Sequence, residues 1–227
     1  MFLDRIKQHR IAVITNESQE HTMSKIAILG ITGRVGSRIA NELLQRGHTV
    51  TGVARKIEGV ESRPGLTLKA ADAISADALI PLLRGHDALI SATHFAGGPD
   101  ASTLIAAATQ AGVPRLLVVG GAGSLEVAPG KALLDTPGFP DAYKAEAQAG
   151  AAMLRALRSD GELDWTFLSP SALLEPGERT GKFRLGGDVL LSDANGKSWI
   201  SMEDYAIAMA DEVEAPRHSR RRFTAGY

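Results

Sequence analysis

The chain contains 227 residues with a net charge of −1, and none of them is cysteine. This length is enough to bury one substantial hydrophobic core. Without cysteine there are no disulfides, thiolate nucleophiles or cysteine-ligated metals, and the scattered histidines do not indicate a metal site either. The balanced charge does not favour nucleic acid or an anionic membrane as a partner, and no apolar run is long enough to cross a bilayer. Composition therefore predicts a soluble, metal-free protein of the cytoplasm, and it leaves monomer and homodimer both open.

Residues 1–22 differ in character from the rest of the chain. They mix apolar and acidic residues, lack the continuous apolar core of a signal peptide, and are too acidic for an organelle transit sequence. Met23 stands directly before the first predicted strand. We therefore expect residues 1–22 to be a poorly ordered extension. Residues 23–227 are expected to form a single domain, to which residues 171–227 contribute a small substrate lobe.

A glycine-rich turn follows the first predicted strand. The strand covers residues 25–29, and the chain continues as Gly-Ile-Thr-Gly-Arg-Val-Gly into an amphipathic helical pattern. Gly30 permits a tight turn, Gly33 lets the backbone approach a phosphate, and Gly36 lets the helix pack against the sheet. The helix N-terminus then presents N–H groups to negative charge. This order predicts a binding site for the pyrophosphate of a dinucleotide, with a merely tight structural turn as the alternative.

The second predicted strand, residues 48–54, ends in basic rather than acidic residues. An NAD-specific site places an acidic side chain here to accept from the ribose hydroxyls, whereas this chain has Arg55 and Lys56. A guanidinium matches a 2′-phosphate with paired, charge-assisted hydrogen bonds, and Arg34 at the start of the first helix is placed to assist. We therefore predict NADP(H) as the preferred cofactor, with NAD(H) also open. The alternative is that Arg55 and Lys56 are ordinary surface charges.

Strands and helices then alternate along the chain in the manner of a parallel sheet. Right-handed crossovers make a doubly wound, Rossmann-like α/β sheet the expected fold, with ligands beyond the carboxyl ends of the strands. The further predicted elements are strands at 66–70, 87–92, 115–119 and 165–168, helices at 76–83, 101–110 and 141–157, a last helix beginning at Ser201, and a short closing strand at 223–227.

Several of these segments resemble the short-chain dehydrogenase/reductase superfamily, and most closely its atypical NAD(P)H-binding group that includes biliverdin/flavin reductase-like proteins. The segments are the glycine turn, Asp72 after the third strand, and the runs at 116–124, 168–170 and 200–206. The resemblance covers residues 25–227. It implies that the pyrophosphate is lined by Gly30, Thr32, Gly33, Arg34, Val35 and Gly36. It also implies that Arg55 holds the adenosine phosphate, that Asp72 lies by the adenine, and that Ser91, Ala92 and Thr93 lie along the cofactor toward the nicotinamide.

The resemblance fails at one catalytic position. Catalytic members use a tyrosine with a lysine four residues later, on the same helix face, but here Tyr143 is followed at that distance by Ala147. Lys144 points about 100° away around a helix and is a poor replacement. Ser124 remains a candidate hydrogen-bond donor to a carbonyl, and Tyr143 a candidate proton source. The alternatives are a loop serine that caps backbone groups and an amphipathic residue that covers the base of the helix.

These residues favour one function over two others. The leading prediction is an NADPH-dependent reductase that transfers a hydride to a small, easily reduced acceptor, because the nicotinamide carries the chemistry and the proton can come from solvent. The first alternative is a non-catalytic NADP(H)-binding sensor, which the missing lysine favours. The second is an epimerase or isomerase that uses bound cofactor transiently. The basic residues Arg179, Lys182 and Arg184 could attract an acidic substrate, and His94 could touch substrate, although both sets are also typical of solvated loops.

Overall fold

The computed structural model describes residues 23–227, and the predicted extension at residues 1–22 lies outside the described residues. The main sheet is built from strands β1 to β5, β8, β10 and β12, and five α-helices accompany it. The strands are β1 (Lys25–Leu29), β2 (Thr49–Ala54), β3 (Leu66–Ala70), β4 (Ala88–Ser91), β5 (Arg115–Val119), β6 (Glu126–Ala128), β7 (Lys131–Ala132), β8 (Asp164–Pro170), β9 (Leu173–Glu175), β10 (Arg184–Gly186), β11 (Trp199–Ser201) and β12 (Arg221–Gly226). The helices are α1 (Arg34–Gln45), α2 (Ala76–Leu83), α3 (Ala101–Ala111), α4 (Asp141–Ser159) and α5 (Met202–Glu214), with a short 3-10 turn at Leu133–Asp135.

The main sheet has eight strands in the order β10-β12-β8-β5-β4-β1-β2-β3. All neighbours run parallel except β10, which pairs antiparallel with β12 at one edge. The chain therefore winds outward from β1 in both directions, which confirms the predicted Rossmann-like doubly wound fold. In such a sheet the crevice for a ligand lies where the winding reverses, beyond the carboxyl ends of β1 and β4.

Each face of the sheet is covered by its own apolar layer. Leu79, Leu104 and Leu154 from α2, α3 and α4 are buried in one cluster, whereas Ile39 from α1 and Met209 from α5 are buried in the other. The strands between them, such as the fully buried β4, are therefore apolar on both sides, as parallel strands are when helices cover both faces. This two-sided burial holds the carboxyl ends of the strands in register.

The predicted elements are present, and their ends differ from prediction mainly in strands β8 and β12. The sixth predicted strand, 165–168, extends to Asp164–Pro170, and the closing strand begins at Arg221 instead of 223. Pairing explains both shifts, because β12 matches β8 from Arg221 opposite Thr166 to Ala225 opposite Pro170. Within the predicted substrate lobe, β10 and β12 belong to the main sheet, and α5 packs in one of its two apolar layers.

A buried tyrosine links α5 to the sheet and offers a test of this packing. Tyr205 is fully buried, its hydroxyl donates to the Leu168 carbonyl at 2.6 Å, and burial raises the pKa of the phenol. We expect Tyr205→Phe to lower the free energy of unfolding by about 1 kcal/mol, the net value of such a hydrogen bond. Urea unfolding measures this. Tyr143→Phe, at a tyrosine that is 65% exposed, is the matched control and should stay within about 0.5 kcal/mol of the unmodified protein. Equal losses in both variants would contradict the assignment.

Candidate functional site

The glycine turn after β1 brings three backbone segments into close contact. Gly30 has a φ of +83°, and a Cβ there would lie 2.5 Å from the Ala92 carbonyl oxygen. A Cβ at Gly36 would lie 2.3 Å from the Gly30 carbonyl oxygen. Gly33 closes the turn, since its N–H donates to that same carbonyl at 2.9 Å. The turn, the first turn of α1 and the end of β4 therefore fit together only because side chains are absent.

The first turn of α1 is open to an anion. Gly33 precedes the helix, no side chain accepts from its first N–H groups, and the first turn contains no acidic residue. In contrast, Ser75, Asp100 and Ser201 cap α2, α3 and α5 through side-chain oxygens. Unpaired N–H groups and the helix dipole together favour negative charge at this point. Thr32, Gly33 and Arg34 are exposed beside it, and Val35 is half-buried.

The ends of β2 and β3 supply the charges predicted from sequence. Arg55 follows β2 directly and is exposed, as is Arg34 at the start of α1. Among the described residues, no acidic side chain pairs with either guanidinium. Asp72, after β3, is also exposed, and its carboxylate accepts from the Ile74 N–H at 3.3 Å. Arg34 at the start of α1 and Arg55 after β2 are therefore both exposed and without an acidic partner among the described residues.

The end of β4 adjoins the glycine turn. Ser91 is buried, with its hydroxyl 3.2 Å from that of Thr93. Ala92 donates its N–H to the Leu29 carbonyl, and its own carbonyl lies against Gly30. The structure thus brings Ser91, Ala92 and Thr93 next to Gly30 and Gly36, as expected for residues that border one elongated ligand.

Ser124 has a partner that sequence reasoning missed. Its hydroxyl oxygen accepts from the Arg222 guanidinium at 2.9 Å, which leaves the hydroxyl hydrogen available to another acceptor. Arg222 is buried and also pairs with Asp188, to which Arg158 donates at 2.7 Å. Burial lowers the pKa of Arg222. The pKa of Asp188 is also lowered, because its bonds to Arg222 and the charge of Arg158 outweigh the effect of burial.

Tyr143 lies in the first turn of α4, with its side chain 65% exposed and its hydroxyl free of hydrogen bonds to the described residues. Ala147, where the family pattern has lysine, packs against the loop after β5: a Cβ at Gly123 would lie 2.7 Å from the Cβ of Ala147. Lys144 pairs with Asp141 at 2.6 Å on the exposed side of the helix. Lys144 therefore does not support Tyr143, and Ser124 makes no hydrogen bond to it.

The first half of α4 contributes one further polar group that the sequence analysis did not identify. The Glu146 carboxylate accepts from the backbone N–H groups of Phe95 and Ala96, each at 2.8 Å. The Phe95 ring stacks on Phe167 at 6.0 Å and lies against Gly150. The loop that follows β4 is therefore fixed to α4. A helical Glu whose partners are backbone amides 50 residues away leaves no local signal in the sequence.

Carboxylates of α1 and α5 hold the loop between β9 and β10. Glu42 accepts two bonds from Arg179, at 2.9 and 2.8 Å, and its pKa is lowered first by that bond. Buried Asp204 accepts from the N–H groups of Thr180 and Gly181 at 2.7 and 2.9 Å. Arg184 donates to backbone carbonyls instead. Of the three cations considered for an acidic substrate, Lys182 is the one whose side chain is not bonded to the described residues.

Two classes of site are not found in the described part of the chain. No group of three or more histidine and acidic side chains there is arranged to hold a metal ion. No helix among residues 23–227 is long and apolar enough to span a membrane.

Comparison with known proteins assigns the chain to a family. A family model described as NAD(P)H-binding matches residues 30–216, which is most of the chain and begins at the first glycine of the turn. The chain belongs to the NAD(P)H-binding family. Together with the sheet order, this confirms the resemblance to atypical short-chain dehydrogenase/reductase proteins. The site described above is therefore that of an NAD(P)H-binding oxidoreductase family.

Three solved structures show the same fold at substantial sequence identity. A proposed exported protein from Burkholderia pseudomallei is 47% identical with a TM-score of 0.82, covering 90% of this chain and 100% of its own. A proposed epimerase from Bacteroides thetaiotaomicron is 43% identical with a TM-score of 0.86, covering 90% and 97%. A proposed NADH-flavin reductase from Streptococcus pneumoniae TIGR4 is 33% identical with a TM-score of 0.77, covering 89% and 99%.

The close contact at Gly36 makes a sharp prediction for this NAD(P)H-binding protein. Gly36→Ala places a methyl group against the Gly30 carbonyl and forces the turn away from α1. We expect affinity for NADPH to fall at least tenfold, with a cost in stability of about 1–3 kcal/mol from overpacking. Isothermal titration and urea unfolding measure the two effects.

Gly161→Ala is the matched control, since a Cβ there meets nothing within 4 Å and its backbone is unstrained. It should leave both quantities unchanged. Normal NADPH affinity in the Gly36→Ala protein would show that the turn does not hold the pyrophosphate.

Proposed function

We propose that this protein is an NADPH-dependent reductase that transfers a hydride to a small, easily reduced acceptor. The observation that carries the proposal is the glycine turn, where the uncapped N-terminus of α1 lies against the end of β4, with exposed Arg34 in that helix turn and exposed Arg55 after the neighbouring strand β2. The family assignment supports nicotinamide cofactor binding, and the similar Streptococcus protein is itself described as a proposed NADH-flavin reductase.

The residues present fit a nicotinamide dinucleotide. The N–H groups at the start of α1 would hold the pyrophosphate, Arg55 and Arg34 a 2′-phosphate, and Ser91 to Thr93 would border the path toward the nicotinamide. Bound there, the reduced nicotinamide supplies a hydride. The preference for the phosphorylated cofactor rests on charge: a carboxylate after β2 would repel a 2′-phosphate, whereas exposed Arg55 attracts it.

The environment of Tyr143 bears on which class of compound accepts the hydride. Tyr143 lacks the lysine that supports the tyrosine in the family pattern, because Ala147 stands at that position and Lys144 is paired with Asp141. Reduction of a simple ketone requires a strong proton donor, whereas quinones and flavins accept a hydride more readily. Ser124 would orient such an acceptor, since Arg222 donates to its oxygen and leaves the hydroxyl hydrogen available. The missing lysine therefore favours quinone-like and flavin-like acceptors over simple ketones.

Two alternatives each have an observation behind them. The similarity to the Bacteroides protein, described as a proposed epimerase, favours an isomerisation in which bound cofactor is oxidised and reduced again within one turnover. The lack of a lysine four residues after Tyr143 favours a sensor that binds NADP(H) without turnover. The three functions differ in what happens to the cofactor: net NADPH consumption, no net change, or binding alone.

The decisive experiment therefore follows NADPH directly. The full-length protein is titrated with NADPH and NADH, and NADPH oxidation at 340 nm is then followed with FMN, menadione and a 1,2-dicarbonyl. The reductase proposal predicts tight NADPH binding and steady oxidation with at least one acceptor. Tight binding with no oxidation would support the sensor or the epimerase instead. Failure to bind either cofactor would overturn all three.

The proposed function also suggests where the protein works. A reaction that consumes NADPH needs a compartment in which NADPH is regenerated, and this favours the cytoplasm. The similar Burkholderia protein is described as a proposed exported protein. Fractionation of cells that produce this chain at its native level distinguishes the two locations, and recovery outside the cytoplasm would contradict our proposal.

Arg55 provides the test of cofactor preference. We expect Arg55→Ala to weaken NADPH binding about ten- to a hundredfold, the equivalent of losing charge-assisted hydrogen bonds of about 1.5–3 kcal/mol. Binding of NADH, which lacks the phosphate, should change less than about threefold, because the lost interaction is specific to the 2′-phosphate. Fluorescence titration measures both dissociation constants.

Arg84→Ala serves as the matched control. Arg84 is also exposed, but it lies between α2 and β4, at the amino ends of the strands and away from the carboxyl ends where the cofactor would bind. It should bind both cofactors normally. Equal losses of NADPH and NADH affinity in Arg55→Ala would mean that Arg55 contributes through the fold and not through the phosphate.

A further inference from the structure

The loop after β4 is held against α4 at the site proposed above. Glu146 accepts from the Phe95 and Ala96 N–H groups, and the Phe95 ring is packed between Phe167 and Gly150. Thr93, two residues before Phe95, adjoins Gly30 at the glycine turn. The residue between them, His94, is therefore carried on a fixed backbone that runs directly from the cofactor-lining segment to α4.

His94 has the geometry of an exposed acid beside a carboxylate. Its Nδ1 lies 3.6 Å from the Glu146 Oε1, and the side chain is 91% exposed. Glu146 is the charged side chain that the structure places within 4 Å of the ring, among the residues described. Because Glu146 already accepts two backbone N–H groups, its position is set whatever the charge of the imidazole. The carboxylate attracts a protonated ring, and the outer nitrogen remains open to a ligand.

The same carboxylate also lies beside Tyr143. Residues three apart on a helix are neighbours on its surface, so Tyr143 and Glu146 occupy adjacent positions on α4. His94 and Tyr143 therefore flank one carboxylate at the carboxyl edge of the sheet. Of the two, histidine is the side chain that ordinarily changes charge between pH 5 and 8 and so can both give and regain a proton in that range.

We propose that His94, positioned by Glu146, supplies the proton for the reduction. This inference rests on the proposed reductase function. In each turnover the acceptor receives a hydride, with its electron pair, from the reduced nicotinamide. An N–H bond of the His94 imidazolium breaks as an O–H or N–H bond forms on the acceptor. The neutral imidazole then takes a proton from water, which reaches it freely because the side chain is exposed.

The test compares His94→Gln with Tyr143→Phe, using NADPH and menadione. His94→Gln keeps a polar side chain but cannot carry the proton, so kcat should fall about a hundredfold or more, as for loss of a general acid. Any change of kcat between pH 5.5 and 8 that the unmodified enzyme shows should disappear. Tyr143→Phe tests the competing donor, and its loss of kcat should be much smaller than that of His94→Gln. The NADPH dissociation constant should be unchanged in both, which shows that the fold and cofactor site are intact.

Chemical rescue separates a proton-transfer role from a structural one. The site is open to solvent, so added imidazole should restore part of the kcat of His94→Ala in proportion to its concentration, and it should have no effect on the unmodified enzyme. A His94→Gln protein with normal kcat and an unchanged pH profile would overturn the inference while leaving the reductase function intact. A large loss in Tyr143→Phe with none in His94→Gln would assign the proton to Tyr143. An unmodified protein that binds NADPH but reduces none of the acceptors would overturn the function and this inference together.

Discussion

The structure depends on one place where three backbone segments meet without side chains between them. The carbonyl of Ala92 lies where a Cβ of Gly30 would be, and the carbonyl of Gly30 lies where a Cβ of Gly36 would be. This contact fixes the angle at which α1 leaves β1 and sets the end of β4 against the turn. The free N–H groups of α1 and the segment from Ser91 to Thr93 consequently border the same crevice. A single methyl group at this point would separate the elements that the proposed cofactor has to bridge.

Charged side chains near this crevice fall into two groups, one paired within the protein and one left unpaired. On the face covered by α1 and α5, acidic side chains are used internally: Glu42 binds Arg179, Asp204 binds the backbone at Thr180, and Glu203 pairs with Arg38. These contacts fix the loop before β10 and neutralise the cation it carries. Arg34 and Arg55 have no such partners among the described residues. The start of α1 and the end of β2 thus keep unpaired cations, where a 2′-phosphate would lie.

Local sequence signals predicted the elements that build the crevice, but not the long-range contacts that complete it. The glycine turn, the apolar strands and the basic end of β2 each carry their signal within a few residues, so the order of the elements and the doubly wound sheet could be predicted. The short strands β6, β7, β9 and β11 have no such signal, because they are two or three residues long and depend on partners elsewhere. Ser124 meets Arg222 across 98 residues, and Glu146 meets Phe95 across 51. Only the folded sheet brings these pairs together, and they decide what Ser124 and the loop after β4 can do.

Two loops pack closely against one face of α4, the helix that carries Tyr143. The loop after β5 approaches the helix so closely that a Cβ at Gly123 would lie 2.7 Å from the Cβ of Ala147. Any side chain at position 123 would therefore collide with the helix, so the loop can lie this close only with glycine there. One turn further on, Gly150 gives the same close access to the Phe95 ring. Small residues along this face therefore let the loops after β4 and β5 pack closely onto the helix. The contact at Gly150, together with the bonds from the Phe95 and Ala96 N–H groups to Glu146, fixes the loop that carries His94 beside that carboxylate.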